Sequence, residues 1–110
     1  MEYKVRYTPS AQKDMDHIWD DVVEVSQSFD TADKYIDEFV DTIACKKNFP
    51  ESGIPLYYRG LFTGFYSVNY KAYKAFYRVN GINIEVIRIL PAKMDYFKIL
   101  FGESDEEEPV

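Results

Sequence analysis

The side chains that could do chemistry in this chain are the basic residues of its second half. Residues 52–100 carry two acids against seven bases, whereas residues 9–51 carry eleven acids against four lysines. The seven bases are Arg59, Lys71, Lys74, Arg78, Arg88, Lys93 and Lys98. This asymmetry can focus a positive potential on one face despite a net charge of −6, and such a face attracts polyanions. The alternative is that these side chains only cover neighbouring aromatic rings.

Other kinds of chemistry have little material in the sequence. There is no glycine-rich phosphate loop and no HExxH, CxxC or GxSxG pattern. The single histidine, His17, stands beside Asp16 on the polar side of a predicted helix, so we interpret it as a surface residue. One histidine and one cysteine, Cys45, cannot build a zinc site, and we expect neither metal nor cofactor. A lone cysteine also excludes an internal disulfide and fits a reducing compartment.

The strands that position the basic residues are predicted by alternation of apolar and polar side chains. Residues 65–101 predict three antiparallel strands followed by a short helix. A two-residue turn at Asn80-Gly81 would pair Val79 with Ile82 and Tyr73 with Arg88. One face of the sheet would then be apolar, and the other would present a polar and basic platform that includes Lys74 and Arg78.

Two further segments complete the predicted sheet. A tight turn at Lys71-Ala72 would place Tyr66, Val68 and Tyr70 on the apolar face. Residues 3–7 alternate as well and predict an N-terminal strand, which gives four strands. Residues 48–64 contain two prolines and three glycines and predict a loop, with part of a strand around residues 57–62.

Two helices are predicted to cover the apolar face. Thr8-Pro9-Ser10 is typical of a helix start, and Asp30-Thr31 is a second cap signal, with the second helix ending near Lys47. Apolar residues recur at helical spacing in both segments. Those of the first stripe are Met15, Ile18, Trp19, Val22, Val25 and Phe29.

The predicted fold class is α+β: an N-terminal strand, a two-helix antiparallel hairpin, a three-stranded antiparallel meander and a short C-terminal helix. We expect a single domain over residues 1–102 and a disordered acidic tail over residues 103–110. No apolar run is long enough to span a membrane and the charged start is no signal peptide, so we expect a cytoplasmic protein without a membrane partner.

The order of these segments resembles the RelE/ParE superfamily, the toxins of type II toxin-antitoxin modules. The resemblance rests on the strand that leads into Thr8-Pro9, the acidic helical hairpin, Pro50 with Gly53, the strand 76–79, and residues 87–90 leading into Met94-Asp95-Tyr96. It covers nearly the whole chain up to Phe101. It implies a toxin that inhibits growth and is neutralised by a cognate antitoxin protein.

RelE-like members of the superfamily cleave mRNA on the ribosome without a metal. They use lysine and arginine on the open sheet face and a C-terminal tyrosine, because the transition state gathers negative charge on phosphate oxygens. The resemblance implies Lys74, Lys93 and Tyr96 as site residues here. We add Arg78 from the polar face and Arg88 as candidates, although the predicted pairing with Tyr73 favours a cation–π or buried structural role for Arg88 over catalysis. Phe65 and Ser67 stand where a lysine pair is found in those members, so the nuclease set is incomplete.

ParE-like members inhibit DNA gyrase and lack the nuclease set. The ending Arg88-x-Leu90 followed by Met94-Asp95 resembles them. We therefore expect a ParE-like gyrase inhibitor or a RelE-like member with an incomplete site. Ribosome-dependent cleavage of mRNA is the alternative, and a degenerate toxin that serves as a protein-interaction module is a second alternative.

Overall fold

The computed structural model describes residues 3–94 and 96–101, and for residues 96–98 it describes the backbone alone. The predictions for the tail, residues 103–110, and for the side chain of Tyr96 lie outside this description. The elements are β1 (Lys4–Tyr7), α1 (Pro9–Ser26), α2 (Phe29–Ala44), a 3-10 turn (Pro50–Ser52), β2 (Ile54–Tyr58), β3 (Leu61–Tyr70), β4 (Tyr73–Asn80), β5 (Asn83–Pro91) and α3 (Tyr96–Phe101).

The predicted fold class is confirmed, with one more strand than expected. The described strands form a five-stranded sheet in the order β1-β5-β4-β3-β2, and β1 runs parallel to β5 while the other pairs are antiparallel. The meander therefore has four strands rather than three. The strand β2 contains Pro55 and a register shift next to it. Because proline interrupts regular strand pairing, the alternation of residues did not predict this strand.

The helix starts follow the capping chemistry of the sequence. Thr8 caps α1 as predicted, and its hydroxyl accepts a hydrogen bond from the backbone N–H of Ala11 at 3.1 Å. The second cap is Ser28 rather than Asp30-Thr31, because the Ser28 hydroxyl accepts from the N–H of Thr31 at 3.1 Å. The helix α2 ends at Ala44, three residues before the predicted end.

Both helices pack on one face of the sheet, which we call the helix face. Its core joins residues of all the larger elements, and Phe39, Tyr77 and Ile84 are fully buried in it. The predicted Lys71-Ala72 turn and the facing of β3 are confirmed, since Val68 pairs with Ala75 in this core. The hydrophobic effect of this burial is the main stabilising contribution to the fold.

The tip of the helical hairpin does not share this burial. Val25 is 85% exposed and Phe29 is 66% exposed, although the apolar stripe predicts both as core residues. Phe29 stacks on Trp19 with ring centroids 5.6 Å apart. The packed residues of α1 end at Val22, so the hairpin is longer than the sheet that it covers. The spacing of apolar residues predicts which face of a helix is buried, but it does not predict how far along the helix the sheet extends.

The turn between β4 and β5 lies one residue later than predicted. Asn80 pairs with Asn83 across the turn. The expected pairing of Val79 with Ile82 is therefore wrong. Gly81 has a φ of 62°, a left-handed value that glycine adopts without steric cost. The pairing shifts by two residues, so the side chains near the turn keep their predicted faces.

An extra residue in β5 changes the partner of Arg88. Ile87 lies between the partners of Phe76 and Tyr77, and Phe76 pairs with Arg88. The predicted pairing of Tyr73 with Arg88 is therefore wrong. A bulge of this kind bends the strand and redirects the side chain beside it.

The opposite face of the sheet, which we call the far face, is not the open polar platform that the sequence predicts. Phe76 is fully buried there, and Leu56 and Leu90 are at most 9% exposed. Leu100 and Phe101 of α3 pack against this cluster. The short helix therefore covers an apolar centre between the basic side chains. Among the described residues, no helix is long and apolar enough to cross a membrane.

Candidate functional site

Two predicted site residues lie on the far face along β4. Lys74, Phe76 and Arg78 alternate with residues of the helix-face core, so their side chains share the far face. Lys74 and Arg78 are four residues apart, which is roughly 13 Å along a strand. The buried ring of Phe76 lies between them. The two cations therefore flank an apolar centre instead of meeting at one point.

Arg78 is bound to an acidic neighbour on β5. Its Nε donates to the Glu85 carboxylate at 2.8 Å, and the Asn80 amide donates to the other carboxylate oxygen at 3.3 Å. Hydrogen bonds from Arg78 and then Asn80 lower the pKa of Glu85 from its ordinary value. The side chain of Arg78 is 53% exposed, so it can still meet a partner from solvent.

Lys74 lies at the other end of the far face, and Lys93 follows the end of β5. The chain leaves β5 through a turn in which the Ala92 N–H donates to the Ala72 carbonyl at 2.9 Å. This bond holds the residue before the exposed Lys93 next to the β3–β4 turn. Its acceptor, Ala72, lies two residues before Lys74 in the sequence. The backbone of α3 begins three residues later, at Tyr96. Lys74, Lys93 and the start of α3 are thus brought to one end of the sheet.

Arg88 lies against α1, in a cavity of about 250 Å³ that it lines together with Met94 and Ile99 from the segment around the start of α3. Its Nε and Nη2 donate to the two Asp14 carboxylate oxygens at 2.7 and 3.0 Å, which is a bidentate ion pair. The Ile89 backbone N–H also donates to Asp14 at 2.9 Å. The hydrogen bonds from Asp14 raise the pKa of the Arg88 guanidinium. This network joins α1 to the bulged part of β5.

Sequence reasoning missed two groups that shape this region. Asp14 lies on the core-facing side of α1, three residues after Ala11 and four before Ile18. An acidic residue at this position of an apolar stripe could have indicated a buried ion pair. Arg59 lies over the Tyr58 ring at 5.1 Å, and Tyr58 stacks on Phe101 with centroids 5.7 Å apart. No sequence pattern predicts this contact of Arg59, Tyr58 and Phe101, because it depends on where α3 packs.

The arrangement suits recognition of an extended acidic surface better than concentration of charge on one phosphate. Its cations are spaced along the face, and two of the five predicted site residues are held by carboxylates. Within residues 3–94 and 96–101, no group of three or more histidine, cysteine, aspartate or glutamate residues could hold a metal ion.

Comparison with known proteins agrees with this geometry. No curated protein matches the chain in sequence. The chromosomal ParDE TA system from P. aeruginosa contains a similar structure, with a TM-score of 0.69 and 22% identity, covering 83% of this chain and 97% of that one. The RelBE2 toxin-antitoxin complex from Mycobacterium tuberculosis gives a TM-score of 0.54 and 19% identity, covering 83% and 99%. At these identities the likeness shows the fold.

The family is shown by the sequence itself. Residues 5–96 match the profile of the ParE toxin of the type II toxin-antitoxin system parDE. This span runs from the second residue of β1 to the first residue of α3 and so includes all the other elements described above in full. The chain therefore belongs to the ParE toxin family.

Proposed function

We propose that this chain is the toxin of a type II toxin-antitoxin module, that it inhibits growth in the cytoplasm and that a cognate antitoxin neutralises it. Membership of the ParE toxin family over residues 5–96 supports the proposal. The structurally similar chains in P. aeruginosa and Mycobacterium tuberculosis come from toxin-antitoxin systems. A chain that purifies alone at high yield and leaves growth unaffected would contradict it.

For the cellular target, we infer DNA gyrase. The observation that carries this choice is the separation of the predicted cations on the far face. Metal-independent RNA cleavage needs positive groups that converge on one phosphate, because charge develops there in the transition state. Here Arg78 pairs with Glu85 and Arg88 pairs with Asp14, while the buried Phe76 separates Lys74 from Arg78. Inhibition by binding needs no such convergence.

Ribosome-dependent cleavage of mRNA is the second candidate. The observation in its favour is that Lys74, Lys93 and the start of α3 share one end of the sheet. Two assays on the same protein separate the candidates: supercoiling by purified gyrase, and primer extension on mRNA from induced cells. We expect blocked supercoiling and intact mRNA. Ribosome-dependent cuts that disappear in Lys74→Ala would instead establish the nuclease.

The binding surface has its own test under either mechanism. We expect the combined alanine variant at Lys74, Arg78, Lys93 and Tyr96 to lose growth inhibition while remaining folded. A matched control replaces Lys13 and Lys34, two exposed lysines of the helical hairpin, and should stay toxic. If the four-site variant remains toxic, the far face is not the functional surface.

A degenerate toxin that acts as an interaction module remains the third candidate. It would bind a partner protein without inhibiting growth, gyrase or translation. Growth curves after induction distinguish it from both toxins. Any reproducible arrest that the neighbouring reading frame suppresses would exclude it.

A further inference from the structure

A patch of polar side chains lies on the far face where β1 meets β5 and β4. Val5 and Tyr7 of β1 pack against the helix-face core, so the alternate residues, Lys4 and Arg6, direct their side chains to the far face. Both side chains are exposed. Neither belongs to the predicted site residues, and together they extend the basic part of the far face to the edge of the sheet.

Strand pairing arranges the patch as two rows across three adjacent strands. The rows of direct partners are Arg6, Glu85 and Arg78, and beside them Lys4, Asn83 and Asn80. Neighbouring strands lie about 4.8 Å apart, and alternate residues of one strand lie roughly 7 Å apart. Cations therefore stand at three corners of a rectangle of roughly 10 by 7 Å, which we call the polar grid. None of its six side chains is apolar.

Hydrogen bonds inside the polar grid occupy its acceptor atoms. The Arg6 Nε donates to the Oδ1 of Asn83 at 3.1 Å. The Glu85 carboxylate accepts from the Arg78 Nε at 2.8 Å and from the Asn80 amide at 3.3 Å. The Nη groups of both arginines take part in none of these bonds. The grid therefore presents mainly hydrogen-bond donors to solvent.

Charge on the sheet is one-sided. Among the five described strands, Glu85 is the sole acidic residue. Hydrogen bonds from Arg78 and Asn80 lower its pKa, and the charge of Arg6 adds to this effect. The acidic residues of α1 and α2 belong to the layer on the other side of the sheet. The grid can therefore keep a local positive potential in a chain whose net charge is −6.

The composition of the grid fits nucleic acid better than a protein surface. Protein–protein interfaces usually have an apolar core inside a polar rim, and the grid has no apolar side chain. Protein–DNA interfaces are more polar and more positively charged, and many of their contacts join arginine, lysine and asparagine to phosphate oxygens. A guanidinium presents several N–H groups in a geometry that matches phosphate.

The spacing of the cations fits a phosphate backbone as well. Each strand of duplex DNA carries one negative charge per about 3.4 Å of helix axis. Three cations roughly 7–10 Å apart can therefore each meet a phosphate without requiring a particular base sequence. RNA offers the same phosphates, but the target inferred above, gyrase, acts on duplex DNA.

We propose that Lys4, Arg6 and Arg78 bind the phosphate backbone of duplex DNA, so that the toxin contacts the DNA held by gyrase as well as the enzyme. This inference rests on the proposed function, because it names a second partner for the gyrase-inhibiting surface. Lys4 and Arg6 thereby gain a role in binding, and Arg78 acts with them.

The first test measures binding of the full chain to a short DNA duplex of mixed sequence. Fluorescence anisotropy at several salt concentrations gives the slope of log K against log salt. Each phosphate contact contributes about −0.9 to this slope for B-form DNA, so three contacts predict a slope of about −2.7. A slope near zero, or no binding at low salt, would overturn the inference.

Single substitutions then assign the slope to the grid. We expect Arg6→Gln and Lys4→Gln each to make the slope shallower by about 0.9 and to weaken binding at low salt. The matched controls, Lys13→Gln and Lys34→Gln, make the same change at exposed positions of the helical hairpin and should keep the wild-type slope. Equal losses in the controls would show general electrostatics and would overturn the inference.

A gain of binding is expected when the acid of the grid is removed. Glu85→Gln keeps the size of the side chain and removes its charge. We expect it to tighten binding to the duplex about threefold or more at low salt, with a smaller gain at high salt. Unchanged or weaker binding would mean that the DNA does not lie over the grid.

Single-stranded RNA of the same sequence separates the two sources of phosphate. Single strands contribute only about −0.7 to the slope per contact, so we expect a shallower slope and weaker binding than for the duplex. Tighter binding of the RNA would overturn the assignment to DNA.

Supercoiling assays separate the inference from the proposed function. We expect the double variant of Lys4→Gln and Arg6→Gln to need several times more protein than the wild type to block gyrase, whereas Lys34→Gln should match the wild type. If the double variant blocks supercoiling as well as the wild type does, the inference alone is overturned. If the wild type leaves supercoiling intact, the gyrase target is wrong, and the proposed contact with gyrase-held DNA is wrong with it, whatever the slope on the free duplex.

Discussion

The two faces of one sheet differ in how they are covered. On the helix face, β4 contributes Ala75 and Tyr77 to a continuous core under two long helices. On the far face, the same strand contributes Lys74, Phe76 and Arg78, and the described cover is the six-residue α3. The helix face can supply most of the stability, which leaves the far face free to expose charge around a small apolar centre. The difference teaches that alternation on a single strand can place a buried core on one face and exposed charge on the other.

The largest test of this division is a cavity on the helix face. Phe39 is fully buried, and its ring lies 4.9 Å from that of Tyr70 and 6.4 Å from that of Tyr73. We expect Phe39→Ala to lower the free energy of unfolding by about 3–5 kcal/mol, because the deletion loses transfer free energy and leaves a cavity. Urea denaturation followed by circular dichroism measures the change.

The matched control makes the same change on the far face. Phe101 is only partly buried, against Tyr58 and Phe65. We expect Phe101→Ala to cost less than half as much, about 1–2 kcal/mol, because its site is open to solvent and can relax. Equal losses at both positions would mean that α3 is as structural as the hairpin, and the division between the faces would be wrong.

An effect smaller than that of Phe39→Ala is expected where an ion pair joins α1 to β5. Asp14 and Arg88 have side chains that are 13% and 30% exposed, so the pair is partly shielded from water. We expect Asp14→Ala to cost about 2–3 kcal/mol, somewhat below the range for fully buried pairs. The cost should fall sharply in an Arg88→Ala background, which a double-mutant cycle measures. Additive losses would show that Arg88 does not act through Asp14 and would restore it as a candidate for the functional surface.

Most of the fold follows from local signals in the sequence. The Thr8 cap, the two helical stripes and the alternation of β3 and β4 each depend on neighbouring residues, and those elements are confirmed. The prediction was less accurate where strand register or burial depends on contacts between distant parts of the chain. The register beyond Phe76 depends on a bulge at Ile87, and burial at Val25 depends on how far the sheet extends under the hairpin.

The candidate site was harder to predict for the same reason. Alternation correctly assigns Lys74 and Arg78 to one face, because that requires only a period of two. It cannot show that Arg78 meets Glu85, that Arg88 meets Asp14 from a helix 74 residues away, or that α3 covers the centre of the face. The roles of the five predicted site residues stay predictions, since they depend on a partner.

The smallest expected effect concerns the charge balance at the edge of the far face. Arg78 lowers the pKa of Glu85, so the pair adds stability above the ordinary carboxyl pKa of about 4.3, and this contribution is lost as pH falls through the lower folded value. In Arg78→Ala the Glu85 pKa should rise toward its ordinary value, and in Lys34→Ala it should not change. Carbon-detected NMR titration of the Glu85 carboxyl measures both. An unchanged pKa in Arg78→Ala would mean that the guanidinium spends little time on Glu85 in solution, and Arg78 would then be freer to contact the target than the structure indicates.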